Sequence, residues 1–225
     1  MARKWSEDEA AGWLNTDVQG ELLDLPRRIA ASIVSLNGGI SKFIDIASGS
    51  GIFLKVFLDR FPESSGIWHD ASETMKAAAQ KSLESYSSRI SWVTGDMQGI
   101  ASLGLATDLD AVVTSRATHH FSANELRVFY SDAATLLRPG GWIINLDHAY
   151  LGSTWDPVLR NVRKQLLAKM PENASGHKHL RPAPQISDHL SSLAAAGITD
   201  AFTAWQAFYT FLIIARKPIE ESSSS

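Results

Sequence analysis

Short apolar runs rich in β-branched residues alternate along this sequence with longer segments whose apolar residues recur every three or four positions. The predicted strands are residues 43–46, 66–68, 90–93, 109–113 and 142–146, and the predicted helices between them are residues 53–61, 72–86 and 123–137. Strands and helices that alternate in this way are joined by right-handed crossovers, and the helices cover both faces of a mainly parallel sheet. The alternation therefore predicts a Rossmann-like α/β fold.

The segments that flank this alternating region have different patterns. We interpret them as N-terminal cap helices at 1–36, a lid-like insertion at 150–184, two final strands at 198–205 and 208–215, and a disordered tail at 219–225. A chain of 225 residues is long enough to bury one large core. We therefore expect a single domain that spans residues 1–225.

The composition excludes several kinds of site. The chain has no cysteine, which excludes disulfides, thiolate metal sites and a cysteine nucleophile. Its formal net charge of -3 argues against a nucleic-acid surface spread over the molecule. Its apolar runs are far shorter than the roughly 20 residues that a membrane-spanning helix needs. We expect a cytoplasmic protein that binds neither nucleic acid nor membrane, with the oligomeric state open and a homodimer among the options.

A glycine-containing turn follows the first predicted strand and leads directly into a helix. Gly49 and Gly51 allow the backbone to approach a ligand closely, and the N–H groups at a helix start favour an anionic group. A dinucleotide-binding fingerprint would need glycine at the positions that Ala47 and Leu54 occupy. Taken alone, the turn is also consistent with a tight connection between strand and helix.

Two aspartates follow the ends of the next two predicted strands. Asp70 comes 19 residues after Gly51, where a carboxylate can accept two hydrogen bonds from a ribose diol. Asp96 has an apolar neighbour, a combination that suits an exocyclic amine beside a flat aromatic ring. Either aspartate could instead cap the helix that follows it, and Ser72 could do so after Asp70. Because the carboxyl ends of parallel strands meet at one edge, all these features are expected near one ligand site.

These features occur in an order that is typical of one enzyme family. The order is Asp45 with Gly49 and Gly51, then Asp70-Ala71-Ser72, Gly95-Asp96-Met97, Asp110 to Ser115, and Leu137-Arg138-Pro139-Gly140-Gly141. In this order the chain resembles the class I S-adenosylmethionine-dependent methyltransferases over roughly residues 40–148. The resemblance implies S-adenosylmethionine as the cofactor and S-adenosylhomocysteine as its product. It also implies a seven-stranded, mainly parallel sheet whose last strand is antiparallel.

The resemblance assigns the methionine part of the cofactor to the turn after the first strand. Backbone contacts from Ala47, Gly49 and Gly51 would line it, and Asp45 would support its amino group, commonly through water. The carbonyl of Ser115, at the end of the fourth strand, would lie near the same amino group. One departure from the family pattern is Ala47, which stands where the first glycine is usual, and it predicts a somewhat altered affinity.

The other end of the cofactor would contact the second and third strands. The resemblance implies that Asp70, with Ala71 beside it, holds the ribose hydroxyls. Asp96 and the N–H of Met97 would bind adenine. These assignments complete the expected cofactor site.

Histidines near the same sheet edge are the candidate bases for methyl transfer. A sulfonium already activates the methyl group, so the protein mainly aligns the nucleophile and excludes water. An oxygen or carbon nucleophile can also need a base that titrates near neutrality. The candidates are His119, after the fourth strand, and His148, after the fifth, ahead of the neighbouring His120. Each could instead be a packing residue, whereas His69 is interpreted as structural.

Residues at the end of the sheet and in the flanking segments could contact the substrate. Arg116 could clamp a carboxylate, and Trp13 and Trp155 could wall an apolar substrate. Basic side chains in the lid-like insertion could attract an anion, although a solvated helix face explains them as well. His177 and His179 have the spacing of metal ligands but no clear third partner, so no metal site is predicted.

We therefore expect methyl transfer from S-adenosylmethionine to a small organic molecule, in specialised metabolism for example. The segment at 114–116 lacks the Asn/Asp-Pro-Pro-aromatic pattern of amino-methylating nucleic-acid enzymes. Two alternatives stay open at this point. One is an enzyme of the same fold that catalyses a cyclisation or elimination, and the other is a non-catalytic partner subunit.

Overall fold

The computed structural model describes residues 20–166 and 182–219 of the chain. The strands in these ranges are β1 (Lys42–Ile46), β2 (Ser65–Asp70), β3 (Ile90–Thr94), β4 (Leu109–Ser115), β5 (Leu137–His148), β6 (Asp200–Ala207) and β7 (Thr210–Arg216). The α-helices are α1 (Gly20–Leu36), α2 (Ile52–Arg60), α3 (Glu73–Ser82), α4 (Ala123–Leu136), α5 (Gly152–Leu166) and α6 (Ile186–Ala195). Predictions made for Trp13, His177, His179 and the rest of 1–19, 167–181 and 220–225 lie outside the described residues.

The strands form one sheet in the order β3-β2-β1-β4-β5-β7-β6. Strands β1 to β5 pair in parallel, whereas β7 pairs antiparallel with both β5 and β6. The prediction of a seven-stranded, mainly parallel sheet with an antiparallel last strand is confirmed.

Two element boundaries differ from the sequence prediction for local reasons. The helix expected over 72–86 ends at Ser82, whose hydroxyl donates to the carbonyl of Ala79 and competes with the helical hydrogen bonds. A 3₁₀-helix follows at Glu84–Arg89. Strand β5 begins at Leu137 because that residue already pairs with Leu109, ahead of an irregularity in the register.

Helices cover both faces of the sheet. One apolar cluster contains residues of α1, α2 and α3, and the other contains residues of α4 and α6. Neighbouring strand residues alternate between the clusters, as Val112 and Val113 do in β4. Among the described residues, no helix has both the length and the apolar character needed to cross a membrane.

Candidate active site

The carboxyl ends of the parallel strands meet at one edge of the sheet, where the predicted site residues lie. The strand order changes direction between β1 and β4, so the loops that follow these two strands diverge and leave a crevice. Along this edge, Asp70 ends β2, Ser115 ends β4 and His148 ends β5. The cofactor features therefore lie toward one side of the crevice and the candidate bases toward the other.

The turn between β1 and α2 depends on left-handed backbone. Gly49 has a φ of 56° and Gly51 a φ of 81°, a region that residues with side chains rarely adopt. A Cβ at Gly51 would also lie 2.4 Å from Cδ1 of Leu83, which is too close for two carbon atoms. Both the conformation and the space therefore require glycine at position 51.

Ala47 lies in the same left-handed region, with a φ of 54°, although it carries a side chain. This backbone costs a residue with a Cβ roughly 1–2 kcal/mol. Hydrogen bonds hold the strained turn: Ser48 N–H donates to the carbonyl of His69 at 2.9 Å, and Gly51 N–H donates to the carbonyl of Ser48 at 3.0 Å. The departure from the family pattern at Ala47 therefore has a structural cost.

Ala47→Gly is expected to stabilise the protein. Relief of about 1–2 kcal/mol of strain outweighs the added freedom of glycine in the unfolded chain, about 0.4–1 kcal/mol. A net gain of roughly 1 kcal/mol corresponds to a Tm rise of about 2–4 °C for a chain of this size, measured by differential scanning calorimetry. Ala77→Gly, the same change at an exposed position of α3, is the control and should lower Tm. A lower Tm for Ala47→Gly would contradict the strain argument.

Asp70 uses both carboxylate oxygens to order the loops around it. Its Oδ2 accepts a hydrogen bond from Gly49 N–H at 2.9 Å, and its Oδ1 accepts one from Ser72 N–H at 3.0 Å. Burial raises the pKa of Asp70, and these N–H donors oppose the rise. Ser72 caps α3 by accepting from Met75 N–H at 3.2 Å, while Ala71 is exposed. Capping therefore belongs to Ser72, and Asp70 contacts the glycine turn.

Asp45 is buried next to the same turn. Its Oδ2 accepts hydrogen bonds from the hydroxyl of Ser48 at 2.7 Å and from Leu54 N–H at 3.0 Å. Its Oδ1 has no hydrogen-bond partner among the described residues. Burial raises the pKa of Asp45 to about 7, although both hydrogen bonds oppose this rise. An unmatched buried acceptor at this position can receive an amino group, directly or through water.

The raised pKa of Asp45 predicts a decline of stability with pH. The pKa is about 7 in the folded protein against an ordinary value of 3.8, so between these values the folded state keeps a proton that the unfolded state loses. The contribution of Asp45 to stability is therefore fully present below pH 3.8 and is lost as pH rises to about 7. Asp45→Asn should remove this part of the decline in urea midpoints measured from about pH 4 to about pH 8. An unchanged decline in the variant would mean that Asp45 is ionised throughout this range.

The loop after β3 lies beside the loop after β2. Gly95 N–H donates to the carbonyl of Asp70 at 3.0 Å, and Asp96 Oδ1 accepts from Gln98 N–H at 3.0 Å. Met97 is half-buried against one of the two apolar clusters. The residues expected near ribose and adenine thus lie at the end of β2 and in the loop after β3, and these two strands are adjacent in the sheet.

Trp68 supports the glycine turn, a role that the sequence did not suggest. Its indole Nε1–H donates to the carbonyl of Gly49 at 2.9 Å, and its buried ring lies 5.4 Å from the ring of Trp92. A tryptophan inside a strand gives no signal of a hydrogen bond to a residue 19 positions earlier.

A second cluster surrounds the completely buried Asp147 at the end of β5. Its Oδ2 accepts hydrogen bonds from Ala117 N–H at 3.2 Å, from His119 N–H at 3.0 Å and from the hydroxyl of Thr118 at 2.6 Å. Its Oδ1 accepts from His148 N–H at 2.8 Å and lies 2.6 Å from Nδ1 of His119. Burial alone would raise the pKa of Asp147, but the neighbouring His119 and these donors hold it well below its usual range.

This carboxylate orients the ring of His119. An ionised Asp147 can only accept, so Nδ1 of His119 carries the proton and donates it across 2.6 Å. In the neutral ring, Nε2 then keeps its lone pair and can take a proton from another molecule. The side chain is 6% exposed, so this hydrogen bond is shielded from water and strengthened.

His148 lies beside His119 in a different electrostatic environment. The two ring centroids are 5.6 Å apart. Burial, followed by the electrostatic effect of the neighbouring His119, Arg116 and Arg163, holds the pKa of His148 well below its usual range. His148 is therefore neutral near pH 7. Asp147 accepts a hydrogen bond from the backbone N–H of each histidine, but it contacts a ring nitrogen of His119 and not of His148, which distinguishes the two candidate bases.

Some of the predicted substrate residues lie on the histidine side of the crevice. Arg116 directly follows β4 and has a φ of 57°. The ring of Tyr209 lies 5.0 Å from that of His148, and its hydroxyl accepts a hydrogen bond from Arg163 at 2.8 Å. Trp155, on α5, is 61% exposed.

Within the described part of the chain, no group of three or more His, Asp or Glu is arranged to hold a metal ion.

Asp147 is the principal site residue that sequence reasoning missed. A signal for it exists, because Asn145 and Asp147 interrupt the apolar run of β5 at alternate positions and so lie on one face of the strand. Polar residues on a buried strand need partners. The sequence does not show that the partner of Asp147 is His119.

Known proteins share this architecture. Residues 43–141 match the family model described as a methyltransferase domain. An O-methyltransferase family protein from Burkholderia thailandensis has a TM-score of 0.69 and 18% identity, over 92% of this chain and 59% of that chain. An O-methyltransferase family 2 protein from Planctomyces limnophilus, in complex with apigenin, has a TM-score of 0.69 and 19% identity, over 95% and 62%. Human N-acetylserotonin methyltransferase, in complex with SAM (S-adenosylmethionine), has a TM-score of 0.66 and 16% identity, over 95% and 57%.

This chain thus spans between 57% and 62% of the length of these three proteins. Comparison with curated protein sequences gives no match. The sheet order is that of a Rossmann-like fold, in which ligands bind at the carboxyl edge beside the switch point. Residues 43–141 thus match a methyltransferase domain, and the solved structures show that the described chain has the same fold as S-adenosylmethionine-dependent methyltransferases.

Proposed function

We propose that this protein transfers the methyl group of S-adenosylmethionine to an oxygen atom of a small organic acceptor, with His119 as general base. The observation that carries the proposal is the 2.6 Å contact between Nδ1 of His119 and Oδ1 of Asp147. An oxygen nucleophile benefits from losing its proton as the new bond forms, and a histidine whose Nδ1 is held by a carboxylate presents Nε2 to take it. The O-methyltransferases of the same fold support the choice of oxygen.

The turn after β1 fits the methionine part of the cofactor. The unmatched Oδ1 of Asp45 suits the amino group, and the glycines at 49 and 51 allow the close backbone approach that a ligand there would need. Ala47 would contact the same part through its backbone, and the carbonyl of Ser115 would add a second acceptor for the amino group. The positions of these residues along the sheet edge support these roles.

The loops after β2 and β3 fit the nucleoside part. Asp70, with Ala71 next to it, would accept hydrogen bonds from the two ribose hydroxyls. Its oxygens would do so either in place of the N–H groups of Gly49 and Ser72 or together with them. Asp96 and Met97, in the loop after the adjacent strand β3, would bind adenine through the carboxylate and the backbone N–H. The bound cofactor would thus extend along the sheet edge from β3 across β2 and β1 toward β4.

His119 and Asp147 perform the proton transfer in this mechanism. The bound cofactor supplies a methyl group that its sulfonium has already activated. Nε2 of His119 takes the acceptor's proton, and the resulting positive ring is stabilised by Asp147, which stays ionised. Because Asp147 is completely buried, it acts as a fixed negative charge.

The acceptor would bind on the β4 and β5 side of the crevice. Tyr209 and His148 offer ring surfaces there, and Arg116 and Arg163 offer positive charge. Trp155, exposed on α5, would cover the apolar part of an aromatic acceptor. These groups favour a flat organic molecule over a macromolecule.

Label transfer tests the proposal. The protein is incubated with S-adenosylmethionine labelled in its methyl group and with a panel of phenols, catechols and hydroxylated aromatic acids. Labelled methyl ether together with an equal amount of S-adenosylhomocysteine supports methyl transfer to oxygen. Conversion of an acceptor without label contradicts the proposal in favour of a cyclisation or elimination. Cofactor binding without any conversion across the panel contradicts it in favour of a non-catalytic subunit.

A further inference from the structure

A chain of buried polar side chains extends from Asp147 into the apolar layer beneath α4 and α6. It consists of Thr118, Asn145, Tyr130 and His189, each completely buried, and we refer to these four residues as the polar relay. Nδ2 of Asn145 lies 2.9 Å from Oγ1 of Thr118 and 2.9 Å from the hydroxyl of Tyr130. That hydroxyl lies 2.8 Å from Nδ1 of His189. The mechanism above uses none of these four side chains.

The direction of each hydrogen bond in the polar relay can be assigned. Thr118 has one hydroxyl hydrogen and donates it to Asp147, so its oxygen accepts from the amide of Asn145. Tyr130 likewise accepts from Asn145 and donates to Nδ1 of His189. Burial lowers the pKa of His189 to about 4, which keeps its ring neutral with the proton on Nε2. The amide of Asn145 is therefore the donor from which the whole relay is ordered.

The polar relay lowers the stability of the folded protein. The side-chain oxygen of Asn145 and Nε2 of His189 are buried and have no hydrogen-bond partner among the described residues. An apolar pair would fill the same layer without leaving two polar atoms unmatched. Such incomplete buried networks call for an explanation beyond packing.

Backbone N–H groups of Ala117, His119 and His148 hold the carboxylate of Asp147, and the polar relay adds a side-chain hydrogen bond to its Oδ2. Thr118 occupies Oδ2 from one side, and Asn145 fixes the rotation of the Thr118 hydroxyl by donating to its oxygen. Oδ1 is then left to face Nδ1 of His119. If the carboxylate could rotate, the ring proton of His119 could move from Nδ1 to Nε2. A ring that carries its proton on Nε2 cannot take a proton from an acceptor at that atom.

We propose that Asn145, supported by Tyr130 and His189, is a positioning residue that acts through Thr118 to hold the carboxylate of Asp147 and keep the proton of His119 on Nδ1. The inference deepens the proposed function and rests on it for its catalytic meaning. It extends the site from two residues at the sheet edge to a set that spans β5, α4 and α6.

Nitrogen-15 NMR of the full-length protein with labelled histidine rings tests the polar relay without any substrate. The His119 ring signals are identified by their loss in His119→Gln. In the wild type we expect the Nδ1–H tautomer, with an N–H proton that exchanges slowly. In Asn145→Leu and in Thr118→Val we expect a mixture of both tautomers and the loss of slow exchange at the N–H proton, because the buried hydrogen bond to Asp147 is weakened.

Two further variants keep the test decisive if Asn145→Leu does not fold. Thr118→Ser retains the hydroxyl and should restore the wild-type tautomer that Thr118→Val loses. Thr114→Val removes a buried threonine hydroxyl from β4, where it donates to the carbonyl of Ile46 at 2.9 Å outside the polar relay, and should leave the His119 signals unchanged. Unchanged His119 signals in a folded Thr118→Val or Asn145→Leu would overturn the inference. Tautomer control without label transfer to any acceptor would reject the proposed function but not the relay.

Discussion

Asp70→Ala is expected to weaken the binding of S-adenosylhomocysteine by roughly 100-fold or more. In the proposed binding mode each carboxylate oxygen accepts a hydrogen bond from one ribose hydroxyl, and each such charged hydrogen bond contributes about 1.5–3 kcal/mol. The loss of two corresponds to at least ~10²-fold in Kd. The substitution also removes the acceptor of Gly49 N–H, which lies 2.9 Å from Oδ2. Both effects act in the same direction.

Isothermal titration calorimetry measures this loss, and two other variants identify its cause. Asp70→Asn keeps one oxygen acceptor and should give an intermediate affinity. Glu63→Ala truncates an exposed carboxylate on the loop before β2, at the opposite end of the strand from Asp70, and should leave Kd within about twofold. A folded Asp70→Ala protein that binds as tightly as the wild type would show that the ribose is held elsewhere.

The fold could be predicted because most strands and helices can be recognised from their own residues. The central strands are covered on both faces, so they appear in the sequence as short continuous apolar runs, as in β4. The end of α3 was harder to predict from sequence. The hydroxyl of Ser82 donates there to the carbonyl of Ala79 and also to that of Ser50, which lies on a loop distant in sequence.

The site was predictable to the extent that each residue acts at the end of its own strand. Asp45 and Asp70 could be proposed in this way, since position after a strand is enough to bring them to one edge. The pairing of His119 with Asp147 could not, because it joins residues 28 positions apart through the register of β4 on β5. The strain at Ala47 was also hidden, since it depends on a backbone angle and not on the residue type.

His119→Gln is expected to reduce methyl transfer by about 10²–10⁴-fold, the range for the loss of a general base. The measurement is the initial rate of label transfer to the acceptor that the panel identifies. Glutamine retains an N–H group that can donate to Asp147, so the buried carboxylate keeps a partner near Oδ1. It cannot take a proton near neutral pH. Affinity for S-adenosylhomocysteine should therefore stay within a few-fold of the wild-type value.

The pH dependence of this rate separates a base from a packing residue. A reaction that needs a deprotonated base shows an acidic limb in its pH–rate profile, and such a limb in the wild type should be absent from His119→Gln. His120→Gln makes the same change in the neighbouring ring, whose centroid lies 3.9 Å from that of His119, and it should keep both the rate and the limb. If His119→Gln loses less than about tenfold in rate and keeps the acidic limb, alignment and exclusion of water are sufficient for the reaction. In that case Asp147 serves to hold the loop after β4 in place and does not activate a base.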